Sequence, residues 1–169
     1  MDKIELVKAE EQDLDEICAL CALVKERTPS SGWDEHYPTR GILEADLASK
    51  TLYKVVQEGK IVSIMQIRSW AEFMKGEEVD DLQDWNPEIT RPCALGRFCV
   101  SPDCQGQGLG RRVMTATLEK AKAMGYDGAR FHTLASNGIA THLYDSMGFR
   151  TVGKIAEYGM EFYCHEMKL

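Results

Sequence analysis

The sequence predicts one α/β domain over residues 1–169, a mixed twisted sheet with flanking helices. Three observations carry that expectation. Short apolar, β-branched runs alternate along the chain with segments of helical periodicity, as α/β proteins require. Several consecutive strands are joined by turns too short for a crossover, so antiparallel hairpins must accompany any parallel step. Past the midpoint lies a strand, glycine loop and helix in succession, Arg97 to Arg112, with glycines alternating at 106, 108 and 110.

Taken in order, Lys3 to Val7 alternates as a first strand. Asp13-Leu14-Asp15-Glu16 has the form of a capping box opening a helix to about Lys25, with Leu14, Ile17, Cys21 and Val24 as its apolar stripe. Residues 27 to 38 form a loop, and Thr39 to about Ser49 forms a short helix carrying Ile42, Leu43, Ala45, Asp46 and Leu47. Leu52 to Gln57 and Ile61 to Arg68 flank Glu58-Gly59, a hairpin signal. Residues 69 to 92 mix Trp70, Phe73 and Trp85 with acidic residues and end in Asn86-Pro87 and Arg91-Pro92, which predicts a long irregular connection. A strand over 94–100 leads into the glycine loop, followed by a helix over 108–124 that Gly125 ends and a strand over 129–134. A helix over 138–147 stops at Gly148 with Phe149 as its hydrophobic contact, and Arg150 to Ile155 and Glu161 to Lys168 close the sheet.

Composition narrows the function classes. With 44% apolar and 28% charged residues in 169, the chain has material for a real core, and it shows neither repeats nor low-complexity tracts. No run of eighteen apolar residues exists and Met1 to Glu5 does not open like a secretory signal, so the expectation is a cytoplasmic protein with no membrane partner. A formal charge of −7 disfavours a non-specific nucleic-acid partner and favours cationic ones. Of six cysteines, Cys18 and Cys21 make a C-x-x-C on the helical stripe without a second ligand pair, so no metal is expected. Cys93, Cys99 and Cys164 read as small apolar residues, and Cys104, beside the glycine loop, as the exposed thiol.

Glycines at 106, 108 and 110, directly ahead of a helix, let several backbone N–H groups converge on an anion such as a pyrophosphate. A dinucleotide fingerprint would need a third glycine where Arg111 stands, and a Walker loop would need Gly-Lys-Ser/Thr. The spacing Gln105-x-x-Gly108-x-Gly110 fits neither. It closely resembles the acetyl-CoA-binding motif of the GCN5-related N-acetyltransferase (GNAT) family. Asn137 to Phe149, with Tyr144 seven residues after Asn137 and then Gly148-Phe149, is similar to the second motif of that family. The two segments stand in the family's order and cover about residues 94 to 153.

The resemblance implies a sheet splayed at its central parallel strands, near 98 and 132. It also implies acetyl-CoA as co-substrate: pantetheine beside Phe98, Cys99 and Val100, and pyrophosphate on amides of Gln105, Gly106, Gln107, Gly108, Leu109 and Gly110. Arg111 and Arg112 oppose the helix dipole by about 0.3–1 kcal/mol each, which a CoA phosphate would offset, although solvated surface arginines tolerate the same cost. Tyr144 is implied as the acid that protonates the leaving thiolate, and Asn137 as a pantetheine contact. On spacing alone, Tyr144 continues an apolar stripe with Ala140, Leu143 and Met147, and Asn137 is a helix cap. The activity implied is acetyl transfer to a primary amine of a small molecule, a protein N-terminus or a lysine. The alternative is a noncatalytic CoA-binding regulatory module, and homodimerisation is a further family expectation.

A general base is not legible. Deprotonating a lysine-like amine at pH 7 costs roughly 4–5 kcal/mol, and His132, Glu72, Asp80, Asp34, Glu35 and His36 are candidates by residue type. The loop Trp33-Asp34-Glu35-His36-Tyr37-Pro38 is expected to line the acceptor site, with two aromatics and two carboxylates suited to a cation. Its aromatics could equally anchor the loop on the core.

Overall fold

A computed structural model of the protein describes residues 3–75 and 83–169. Among the described residues, seven strands form one mixed sheet with flanking helices. They are β1 (Val7–Lys8), β2 (Leu52–Gln57), β3 (Lys60–Ser69), β4 (Pro92–Val100), β5 (Gly128–Leu134), β6 (Arg150–Glu157) and β7 (Met160–Lys168). Their order is β1-β2-β3-β4-β5-β7-β6. The helices are α1 (Leu14–Arg27), α2 (Arg40–Ala48), α3 (Trp70–Phe73), α4 (Leu109–Ala123) and α5 (Gly138–Ser146). The backbone groups into two compact units, residues 1–67 with 96–117, and residues 68–95 with 118–169.

In the first unit, Ile17, Leu20, Cys21 and Val24 of α1 pack with Leu43 and Leu47 of α2, Leu52 of β2, Ile61 and Ile64 of β3, and Cys99 of β4. The β2–β3 hairpin turns through Glu58 at φ +50° and Gly59 at φ +76°, the doubly positive pair that matches the twist of its strands. Thr39 caps α2 by accepting from the Ile42 amide at 3.2 Å.

The start of α1 differs from the expected capping box. Asp13 does not cap the helix, because its carboxylate accepts from the Glu10 amide at 2.8 Å and from Lys54 Nζ at 2.7 Å. A turn of 3-10 helix, Glu11–Asp13, precedes α1 as a result. Glu16 is also drawn off, accepting from the Ile61 amide at 2.7 Å. The same carboxylate closes a capping box with Glu10 one turn earlier and joins Lys54, 41 positions away, in an ion pair.

In the second unit, β4 and β5 pair in parallel over three pairs, Pro92↔Gly128, Cys93↔Ala129 and Ala94↔Arg130. On its other edge β5 pairs antiparallel with β7 along its whole length, from Gly128↔Lys168 to Leu134↔Phe162. The β6–β7 hairpin repeats the turn chemistry of the first, with Tyr158 at φ +53° and Gly159 at φ +75°. Within the connection expected to be irregular, Trp70–Phe73 forms a short helix, and Trp70 is buried. Glu166, 2% exposed on β7, accepts from Arg130 Nε at 3.0 Å, Arg150 Nη2 at 2.9 Å and the Asn86 amide at 2.9 Å. Arg130 in turn lies 4.8 Å from the Trp85 ring centre and 5.7 Å from that of Trp70. Three cationic or amide donors on one carboxylate thus fasten the end of that connection to the sheet.

Burial pushes the Asp13 carboxyl up, but Lys54 and the Glu10 amide outweigh it and hold its pKa below the usual value. Asp13→Ala should cost about 2–4 kcal/mol in urea unfolding at pH 7, since it strands a half-buried ammonium and an amide. A carboxyl with a depressed folded pKa contributes above its unfolded value and loses that contribution as pH falls through the folded one. The gap between wild type and Asp13→Ala should therefore close under acid, and a gap that persists at pH 2 would contradict the ion-pair account.

Candidate functional site

The glycine motif forms a continuous strand, turn and helix in the first unit. β4 ends at Val100, Pro102–Cys104 makes one turn of 3-10 helix, and α4 begins at Leu109. Gly106 and Gly108 sit at φ +76° and +73°, and a Cβ added at either would meet nothing within 4 Å. These glycines are there for their backbone conformation, and the face they present is open. Among the described residues, the amides of Gly106, Gln107, Gly108, Leu109 and Gly110 have no backbone acceptor. Five donors at a helix N-terminus constitute an anion seat in waiting.

Side chains around the seat set its frame. Gln105 donates to the Val100 carbonyl at 3.2 Å and to Thr28 Oγ1 at 3.3 Å, so it braces the loop against the end of α1. Arg27 adds an exposed ion pair to Asp103 at 2.6 Å. Leu109 is 3% exposed and anchors the first turn of α4, while Arg111 is exposed on the same turn.

Along β4, Phe98 and Val100 are half-buried and Cys99 is buried in the core, its thiol against that of Cys21. The bond to Cys21 and burial together raise the Cys99 thiol well above the usual thiol range, so it is no nucleophile at neutral pH. The Cys99 backbone carbonyl accepts from Ser63 Oγ at 2.6 Å. Cys18 is as partly exposed as Cys104, which corrects the expectation of a single accessible thiol.

Immediately upstream, Arg97 holds φ at +52°, a left-handed conformation in the middle of a strand that costs a side-chain-bearing residue about 1–2 kcal/mol. Its Nε donates to Asp46 Oδ2 at 2.8 Å and its Nη1 to Tyr37 Oη at 2.8 Å. The sequence reading missed this arrangement. Its traces were a Gly-Arg pair inside an apolar strand and an aspartate within the apolar run of α2.

The expected acceptor loop is closed by an Asp34↔Tyr37 bridge. Trp33 packs on the α1–α2 core and meets Tyr37 edge-on, with ring centres 6.1 Å apart. Both aromatics thus have anchoring partners, and the exposed chemistry of the loop is Asp34, Glu35 and His36.

Asn137 and Tyr144 belong to the second unit. Asn137 caps α5 by accepting from the Ala140 amide at 3.1 Å, as the cap reading required. Tyr144, 6% exposed, lies edge-on to Phe131 at 4.6 Å and to Phe149 at 5.9 Å, with His165 at 5.4 Å. Burial raises its phenol pKa, so the hydroxyl stays protonated across the neutral range and can donate.

Among the base candidates, Glu72 pairs with Lys75 at 2.7 Å, Glu35 and His36 are exposed neighbours, and Asp80 lies outside the described residues. His132 is different. It stands among Trp70 and Phe73, and its Nε2 is buried without a hydrogen-bond partner. Burial lowers its pKa to about 4, with His165 adding to the effect.

The model of the acetyltransferase (GNAT) family matches residues 17–149, and the chain belongs to that family. A segment of 61 residues is 36% identical to the mycothiol acetyltransferase of Beutenbergia cavernae, covering 36% of this chain and 20% of that protein. The match thus spans a fifth of that relative's length. Among solved structures, a GNAT acetyltransferase of Streptococcus agalactiae is similar with a TM-score of 0.78 at 16% identity, over 98% of this chain and 95% of that one. The PaiA N-acetyltransferase of Thermoplasma acidophilum, solved in complex with coenzyme A, is similar with a TM-score of 0.71 at 12% identity, over the whole of both chains. At such identities the likeness is one of fold. Among the described residues no helix is long and apolar enough to cross a membrane.

His132 yields a pH prediction. The unfolded imidazole takes up a proton below about 6.5, whereas the folded one stays neutral until about 4, so acidification across that window favours unfolding. Urea midpoints at pH 7 and pH 4.5 should show His132→Leu losing less stability on acidification than wild type. Equal losses would show that His132 is not an acid-sensitive group.

Proposed function

We propose that the protein is an acetyl-CoA-dependent N-acetyltransferase that acts on a primary amine by direct attack in a ternary complex. The observation that carries this reading is the row of amides from Gly106 to Gly110 that find no backbone acceptor among the described residues, at the N-terminus of α4 in a chain of this family. Such donors fit a pyrophosphate, and the two open left-handed glycines let it approach the backbone closely. In this reading Gln105 to Gly110 bind the diphosphate, Arg111 adds a cation beside it, and Phe98, Cys99 and Val100 offer backbone groups to the pantetheine arm.

The bound thioester supplies the activated acetyl group. The work of the chain is to hold its carbonyl in line, to place a β4 amide near Cys99 where oxyanion charge develops, and to deliver a proton to the leaving sulfur. Tyr144 is assigned that proton, which its raised pKa keeps on the hydroxyl at neutral pH. Asn137 retains a side-chain amide for the pantetheine while its oxygen caps α5. The acceptor is an amine of a small molecule, a protein N-terminus or a lysine, and the exposed carboxylates of Asp34 and Glu35 are the groups assigned to attract it. The aromatic packing of Tyr144 favours a second reading, a CoA-binding module without catalysis.

Isothermal titration should give micromolar binding of acetyl-CoA and none of ATP or NAD. Thiol release with a panel of amines should then identify an acceptor, and Tyr144→Phe should lower kcat by about 100- to 10,000-fold with acetyl-CoA affinity kept. Binding with no transfer to any amine would establish the noncatalytic module. Absence of binding at millimolar acetyl-CoA would end both readings.

A further inference from the structure

We infer that Arg97 is a positioning residue, locked by Asp46 and Tyr37 so that the bend it imposes on β4 sets the direction of the Phe98–Val100 backbone. This rests on the preceding assignment of that backbone to the thioester-bearing arm.

A left-handed residue inside a strand turns the peptide planes on both sides of it, so the conformation at 97 decides which way the following N–H and C=O groups face. Arginine has no intrinsic preference for that region, and the conformation persists only where the surroundings over-determine it. Here the surroundings are specific. Asp46 is 5% exposed on α2 and receives the guanidinium in fork geometry, Nε to Oδ2 at 2.8 Å and Nη2 to Oδ1 at 3.4 Å. Gln66 of β3 completes that carboxylate, its Nε2 donating to Asp46 Oδ1 at 2.8 Å and to Thr51 Oγ1 at 3.1 Å. Gly96 makes room for the same glutamine, since a Cβ there would stand 3.2 Å from Gln66 Oε1.

The remaining end of the guanidinium is held by the 33–38 loop. Nη1 donates to Tyr37 Oη at 2.8 Å, and the Arg97 guanidinium carbon lies 5.3 Å from the Tyr37 ring centre. One side chain therefore ties β4 to α2 and to the loop whose carboxylates are assigned to the acceptor. A lysine could not make these contacts, being a point charge without a fork. Stability alone is a poor explanation for the arrangement, because a buried ion pair is usually replaceable by apolar packing at little cost. Its location, one residue ahead of the backbone assigned to the thioester, accounts for it.

The test uses the full chain as wild type, Asp46→Asn, Tyr37→Phe and Arg97→Lys, each first shown to be folded by urea denaturation. In the free protein, NMR reads the φ of residue 97 and the amide exchange of Phe98–Val100. Asp46→Asn and Arg97→Lys should lose the left-handed signature and exchange these amides about tenfold faster or more, with Tyr37→Phe intermediate. With an amine found by the panel above, the same two variants should lose about 10- to 100-fold in kcat with amine KM changed less than threefold, since misplacement rather than binding is affected. A left-handed residue 97 and unchanged exchange in Asp46→Asn would overturn the lock. A lost signature with wild-type kcat would overturn its role in transfer. A wild type inert toward every amine would refute the transferase reading and with it that role, while the NMR arm, which needs no substrate, would still decide whether the network holds the bend.

Discussion

The carboxylate of Asp46 gathers groups from four parts of the first unit. Arg97 reaches it from β4, Gln66 from β3, the residue itself rides on α2, and Tyr37 joins through the arginine. A charge at this depth is tolerable only when its lone pairs are filled, and here Gln66 and Arg97 bring donors of complementary shape to them. The consequence extends beyond the pair. The strand assigned to the pantetheine arm takes its left-handed φ at the residue the carboxylate grips, and a side chain at Gly96 would crowd the glutamine serving the same carboxylate.

The second unit solves a related problem with Glu166. Arg130, Arg150 and the Asn86 amide converge on it, and Trp70 and Trp85 border the guanidinium of Arg130. The backbone at Asn86 is thereby tied to one buried anion. Next to Arg130 in sequence, alternation along β5 sends Phe131 and His132 to opposite faces. Phe131 joins Tyr144, Phe149 and His165, and His132 joins Trp70 and Phe73. The chemistry assigned to Tyr144 thus comes from a residue whose ring is also core. Packing fixes the ring, and burial keeps the proton on its oxygen.

The anion seat is built differently, from groups left without partners. A helix begins with donors it cannot satisfy, and the loop before α4 adds more by running through two left-handed glycines with nothing above them. Gln105 holds the frame by pairing with the Val100 carbonyl. Unsatisfied amides on an open face are costless in water and become a binding resource when an anion displaces that water.

The sequence by itself determined whatever depends on neighbours a few residues apart. Glu58-Gly59 specified its hairpin, Thr39 and Asn137 their helix caps, and the spacing of Gln105, Gly108 and Gly110 the strand, loop and helix with its family, because turn conformation and helical periodicity are local properties. Tertiary structure decided the long-range choices. Asp13 took Lys54 as a distant partner beside its local bond to the Glu10 amide, Cys99 turned its thiol into the core, Trp33 packed on the α1–α2 core, and Arg97 accepted a left-handed backbone gripped by Asp46. Each of these is settled by a partner far away in the chain, and buried charges and rings choose partners by distance in space, which residue spacing does not encode.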